Sequence, residues 1–159
     1  MKVIRTPRAK FELEEFLRRP LVAHLATTCD QGARDNPVWF LWEDQCIWIV
    51  AEPRVNTFQT RIARNPLVAV GLVDFEPIQG TMQHVSIRGR AEIVPWDEAR
   101  GNRLFLRYFS ILKGWKPSMA DRDDETVTER EAKYVFIKVN PESVAMRDSE
   151  YRRQVLGLE

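Results

Sequence analysis

A chain of 159 residues is long enough for one ordinary domain to bury a core without disulfide or metal staples. Its 24 basic and 23 acidic side chains leave a formal charge of +1, so there is no general attraction to nucleic acid or anionic membrane, and any anion site must be local. Two cysteines without zinc-ligand spacing, an N-terminus without the apolar core of a signal peptide and no run near the ~18 apolar residues of a membrane span predict a single cytoplasmic domain over 1–159, with no metal.

Phe11, Leu13, Phe16 and Leu17 fall at mixed three and four spacing before Pro20, which predicts an amphipathic helix from about Arg8 to Arg19 that caps a sheet. The stretch LVAHLATTCDQGARDNPVWFLWEDQCIWIVAE follows, with three apolar runs parted by DQG and EDQ. These are turn compositions, so a three-stranded antiparallel meander is expected. His24, within the first of these strands, has no motif support and is assigned no role. Next comes AEPRVNTFQTRIARNP, read as a strand end, a turn and a short helix stopped by NP. Phe58 and Ile62, four apart, make its buried stripe and leave Thr57, Arg61 and Arg64 on the other side. With Asn56 or Thr57 as its cap, the helix start and Arg61 suit an anion, and arginine is the side chain adapted to forked phosphate recognition.

PLVAVGLVDF is a β-branched run, and HVSIRGRAEIV alternates Val85, Ile87, Gly89, Ala91 and Ile93 inward against His84, Ser86, Arg88, Arg90 and Glu92 outward. PWDEARGNRLFLRYFSIL repeats apolar residues at Leu104, Phe105, Tyr108, Phe109 and Leu112, with acids at its start, and predicts a second helix. The stretch KGWKPSMADRDDETVTERE has no usable period and reads as a solvated loop, or a lid. KYVFIKVNPESVAMRD resumes as a strand, a proline turn and a short further strand. Strands in mostly sequential antiparallel order with few helices predict a mainly β fold, a closed or partly closed barrel with peripheral helices.

Four stretches carry a resemblance along nearly the whole chain: FLRRPLVAHLATTCDQGARDNPVWF, IWIVAEP, RIARNPLVAVGLVD and QHVSIRGRAEIV. In this order and spacing they resemble the FMN-binding split-barrel family that includes pyridoxamine 5'-phosphate oxidase. The resemblance implies a six-stranded antiparallel split barrel that forms a homodimer, with a cofactor in each of two clefts at the subunit interface. It implies FMN, or the deazaflavin coenzyme used by some members. Val38, Trp39 and Phe40 match the strand lining the flavin ring, with Val50 and Ala51 on the next strand and Trp42 toward the substrate. The phosphate falls near residues 54 to 64, with Arg54, Asn56, Thr57, Phe58 and Arg61 as its matching positions, and Gln83 and His84 offer polar groups to the cofactor. Three positions depart from the pattern. Pro37 and Trp42 stand where the oxidase proper has basic residues, and Phe58 stands where the family places a lysine or arginine. Whether Trp42 or Trp48 faces the cleft is left open by the spacing.

In the flavin reading the cofactor performs the redox step and the protein supplies position and electrostatics, so neither a Ser-His-Asp set nor a carboxylate pair is expected. The substrate is a small molecule. A non-enzymatic flavin or heme binder is a second class, motivated by the three departures. Single-stranded nucleic acid binding, known in other small barrels, is disfavoured by the near-zero charge. The C-terminal RDSEYRRQVLGLE either completes a second copy's cleft or anchors on the barrel.

Overall fold

Eight strands and four helices follow one another in the computed structural model, which describes residues 1–7, 9–109 and 126–150. They are β1 (Lys2–Arg5), α1 (Leu13–Leu17), β2 (Ala23–Cys29), β3 (Gly32–Val38), β4 (Phe40–Glu43), β5 (Cys46–Ala51), α2 (Phe58–Arg64), β6 (Leu67–Glu76), β7 (Thr81–Pro95), α3 (Glu98–Phe109), α4 (Val127–Lys133) and β8 (Val135–Glu150). Leu112, most of the loop expected after it and the C-terminal tail lie outside the described residues.

The strands hydrogen-bond in the order β3, β2, β6, β7, β8, β5, β4, and β1 adds in parallel to β8. β3 and β4 are thus the two ends of the path, yet in the chain only Trp39 separates them. The run NPVWFLW gives its first half to β2 and its second half to β5, so the sheet curls into a barrel whose ends meet through one residue and no ladder. This is the expected split barrel. The expected meander is replaced by two hairpins, and eight strands replace six because that run counts as two and β1 was not foreseen.

The inward faces of β2 and β4 to β8 supply the core, with Leu25, Phe40, Ile49, Leu72, Ile87 and Ile137 almost fully buried. α1 adds Phe16 and Leu17, and α2 adds Phe58 and Ile62. α1 spans only Leu13–Leu17 of the helix expected from Arg8 to Arg19. Phe11 is buried ahead of it, after a turn in which Ala9 N–H donates to the Thr6 carbonyl at 3.0 Å. Ile93, expected inside, is 41% exposed, since the inward alternation of β7 ends at Ala91. Pro141 makes no turn. It lies within β8 opposite Gly89 at a register shift, a bulge that tolerates the missing N–H. The stretch read as periodless runs into α4, opened by a capping box in which Thr126 Oγ1 accepts from Glu129 N–H and the Glu129 carboxylate accepts from Thr126 N–H.

A second apolar cluster lies between the sheet and α3, built from Trp48, Trp96, Leu104, Phe105, Tyr108 and Phe136. Trp96 stacks on Phe136 at 5.0 Å, and its other side meets the backbone of Gly101, where an added Cβ would stand 2.1 Å from the ring. Gly101→Ala is therefore expected to destabilise the fold by about 2 kcal/mol through overpacking, read as a lowered urea midpoint at unchanged slope. α3 is also tied to the β4–β5 turn, where Glu43 accepts from Arg100 Nε at 2.7 Å and from Arg103 Nε at 2.9 Å.

Candidate functional site

The segment between β5 and α2 is closed by its own polar groups. Asn56 Oδ1 accepts from Glu52 N–H at 2.7 Å, and Gln59 Nε2 donates to the Pro53 carbonyl at 3.0 Å. Asn56 is thereby used for the turn. Thr57 is the N-cap residue but makes no side-chain cap bond, so the helix start contributes no organised anion site. Thr57 Oγ1 instead accepts from Arg61 Nη1 at 2.9 Å.

Arg61 joins three elements. Besides Thr57, its Nε donates to Thr27 Oγ1 on β2 at 2.7 Å and its Nη2 to Asn36 Oδ1 on β3 at 2.8 Å. Thr27 is 1% exposed, at an inward position of β2. A guanidinium has five N–H donors, so three bonds orient the group and leave two for an anion. Beside it lies a cavity of about 280 Å³, walled by Thr28 and Cys29 at the end of β2 with Asp30 just after it, and by Thr60, Arg61 and Arg64 of α2 with its C-cap Asn65. The donor set fits a phosphate: one held guanidinium, a second arginine and hydroxyls on both walls. Arg54 is exposed on the preceding loop.

The remaining candidates are distributed differently. Phe40, Ala51 and Phe58 point into the core, so their side chains form the wall behind any ligand. Phe58, at the position where the resemblance implies a lysine or arginine, is a buried ring. Val38 is half-buried against the core and Val50 against the second cluster. Trp39 stacks on Tyr108 at 4.8 Å. The Tyr108 hydroxyl accepts from Phe40 N–H at 3.1 Å and donates to the Leu21 carbonyl at 2.8 Å, and burial pushes its pKa up. Phe40 N–H is therefore already engaged. The register pairs Leu41 with Trp48, which turns Trp42 and Trp48 to opposite faces. Trp42 enters the main core with its indole N–H on Glu14 Oε2 at 2.7 Å, whereas Trp48 lies under α3 with the Arg100 guanidinium 3.7 Å from its ring centre.

Gln83 and His84 stand away from Arg61. Gln83 pairs with Asp74 and Ala26 with Ala69, so Gln83 and the Arg61 corner are five residues apart along β6, about 17 Å. Gln83 Oε1 accepts from Arg19 Nη1 at 2.6 Å, and the same nitrogen reaches Asp74 Oδ2 at 2.8 Å. His84 points the other way, to the outer face, where it pairs with Val73 and Arg147. Partial burial and the Arg147 charge hold its pKa below the ordinary 6.5. A depressed histidine pKa gives stability that is complete above the unfolded value and is lost as pH falls through the folded one. The imidazole is expected to titrate by NMR with a midpoint below 6.5, which Arg147→Ala raises.

Sequence reasoning missed Thr27, Asn36, Arg19 and Tyr108. A signal for Thr27 existed: in AHLATTC it takes an inward turn of the alternation, and a buried hydroxyl needs a partner.

The model of the family described as Pyridoxamine 5'-phosphate oxidase matches residues 9–147. Among solved structures, the conserved hypothetical protein Rv2991 from Mycobacterium tuberculosis is 22% identical with a TM-score of 0.67, over 98% of this chain and 93% of that one. A FAD-binding protein from Mesorhizobium loti is 20% identical with a TM-score of 0.61, over 86% and 92%. A structure named F420 reductase is 29% identical with a TM-score of 0.56, over 82% and 94%. No curated protein matches the chain. No helix among the described residues is long and apolar enough to cross a membrane.

Proposed function

Because this chain belongs to the pyridoxamine 5'-phosphate oxidase family, we propose that it is an oxidoreductase using a phosphate-bearing flavin, held at its phosphate by Arg61. The carrying observation is the Arg61 guanidinium, oriented by Thr27, Thr57 and Asn36 with two donors to spare beside an open cavity. FMN is the smallest flavin that meets this requirement. The 29% identity to a structure named F420 reductase favours a second reading, the deazaflavin coenzyme at the same place.

When bound, the cofactor supplies hydride transfer between a reduced donor and a small substrate. The chain's own residues bind and orient it. Arg61 offsets the phosphate charge, and Thr27, Thr57 and Asn36 prevent the fork from swinging away. Trp39 and Val38 wall the ring side, held from behind by Tyr108 and the core. Pro37 and Trp42 bring no charge to the places where the resemblance implies basic residues in the oxidase proper, which argues against pyridoxamine phosphate as the substrate.

His84 lies on the outer face, away from Arg61 of its own chain, and this reading assigns it to the site of a second copy. On the strand beside it Val73 is 49% and Phe75 56% exposed, across from Arg147 on β8, and these two apolar side chains support a homodimer through this face. Calorimetric titration with FMN and the deazaflavin coenzyme, with sedimentation for the assembly, tests the reading. Saturable binding by a dimer supports it, and absence of binding by both compounds sinks it.

A further inference from the structure

The barrel is open at one seam, where β3 and β4 end the hydrogen-bonded path and share no ladder. The last turn of α3, residues 106–109, spans that gap. The Tyr108 hydroxyl donates to the Leu21 carbonyl at 2.8 Å, two residues ahead of β2, and accepts from Phe40 N–H at 3.1 Å, at the start of β4. One hydroxyl thus takes the place of the missing rung. The same ring stacks on the Trp39 indole with planes 7° apart, and Phe109 meets that indole edge-on at 5.6 Å. Trp39 is half-buried, and its pose rests on these two rings of α3.

Arg107 makes the closed seam costly. Its Nη2 donates to the Leu17 carbonyl at 2.7 Å and to the Arg19 carbonyl, and its guanidinium lies 4.5 Å from the Phe40 ring centre. Yet no carboxylate among the described residues pairs with it, its Nε is buried without an acceptor, and burial holds its pKa below the usual guanidinium range. A desolvated charge without a counter-charge offsets part of what these bonds contribute. The first turns of α3 are held differently, with Arg100 and Arg103 paired to Glu43 and Gly101 packed on Trp96. The weak part of the helix is its last turn.

We infer that Tyr108 is a latch on the seam: the last turn of α3 opens locally while the rest of the barrel stays folded, and a flavin ring bound against Trp39 holds it closed. The inference rests on the reading above that Trp39 walls the ring side. Tyr108 is a positioning residue, acting through Trp39 and the Phe40 backbone. It serves the ring, whereas Arg61 serves the phosphate, so the two respond to different parts of the cofactor. Local opening costs less than global unfolding where few bonds must break, and here one hydroxyl joins both sides of the seam.

Native-state hydrogen exchange of the full chain, read by NMR in low urea, tests the latch. Phe40 N–H is expected to exchange with almost no dependence on urea, the mark of a local opening, while amides of the β7–β8 ladder accelerate with the slope of global unfolding. Tyr108→Phe keeps the stacking ring and removes the hydroxyl. It is expected to speed Phe40 exchange about tenfold or more, the effect of leaving a buried N–H without its acceptor. Riboflavin at about ten times its dissociation constant is expected to slow Phe40 exchange about tenfold in the wild type, and equally in Arg61→Ala, because riboflavin has the ring and no phosphate. A urea slope at Phe40 as steep as that of the ladder overturns the inference, and so does a Tyr108→Phe variant with unchanged Phe40 exchange. Riboflavin that binds without slowing Phe40 overturns it too, while leaving the Arg61 reading intact. Slowing by riboflavin in a chain that does not bind FMN supports the latch and sinks the Arg61 reading. Failure of both compounds to bind removes both.

Discussion

Arg61→Ala is expected to lower FMN affinity by about 10- to 100-fold, the range for losing hydrogen bonds to a charged group, while riboflavin binding changes little. The difference between the two ligands isolates the phosphate, because riboflavin lacks it and keeps the ring. The substitution also strands Thr27 Oγ1, which is buried on β2 and has Arg61 as its donor at 2.7 Å. Some stability is lost with it, about 1–2 kcal/mol for an unpaired buried hydroxyl, so affinities are compared well below the melting temperature. Arg61→Lys restores the charge without the fork and recovers only part of the affinity. If both ligands respond equally, the residue is a structural tie between α2, β2 and β3, and the phosphate lies elsewhere.

Gly89→Ala is expected to be the most damaging single methyl in the barrel. An added Cβ would stand 2.2 Å from the Asn140 carbonyl oxygen and 3.1 Å from Pro141 Cα. Those atoms are backbone, held by the antiparallel ladder of β7 with β8 on both sides of the bulge. No rotamer change relieves the contact, so the strands must separate at the one place where Pro141 already lacks a donor. The expected cost is about 3 kcal/mol, the upper end for overpacking, measured as the shift in urea midpoint. A loss under about 1 kcal/mol would show that the bulge slides to a neighbouring register.

Local pattern carried much of the fold. Period-two alternation in AHLATTC and HVSIRGRA, the apolar stripe of Phe58 and Ile62 and the acids at the start of α3 each reflect which side of an element is buried, and that is written residue by residue. Helix ends were less legible, since the spacing of Phe11 with Leu13 is satisfied by a buried turn as well as by a helix. The capping box at Thr126 was written in TVTE but lay in a stretch without apolar period.

The sequence by itself determined a mainly β barrel, its family resemblance and the polar segment on which Arg61 sits. Only the tertiary structure decided what Arg61 touches, that Gln83 and His84 face opposite ways and stand away from it along β6, and that Trp42 and Trp48 part across the β4–β5 register. The physical reason is the same in each case. Burial is a property of one residue and its near neighbours in sequence, whereas a site is a meeting of strands whose register is set by ladders between distant segments.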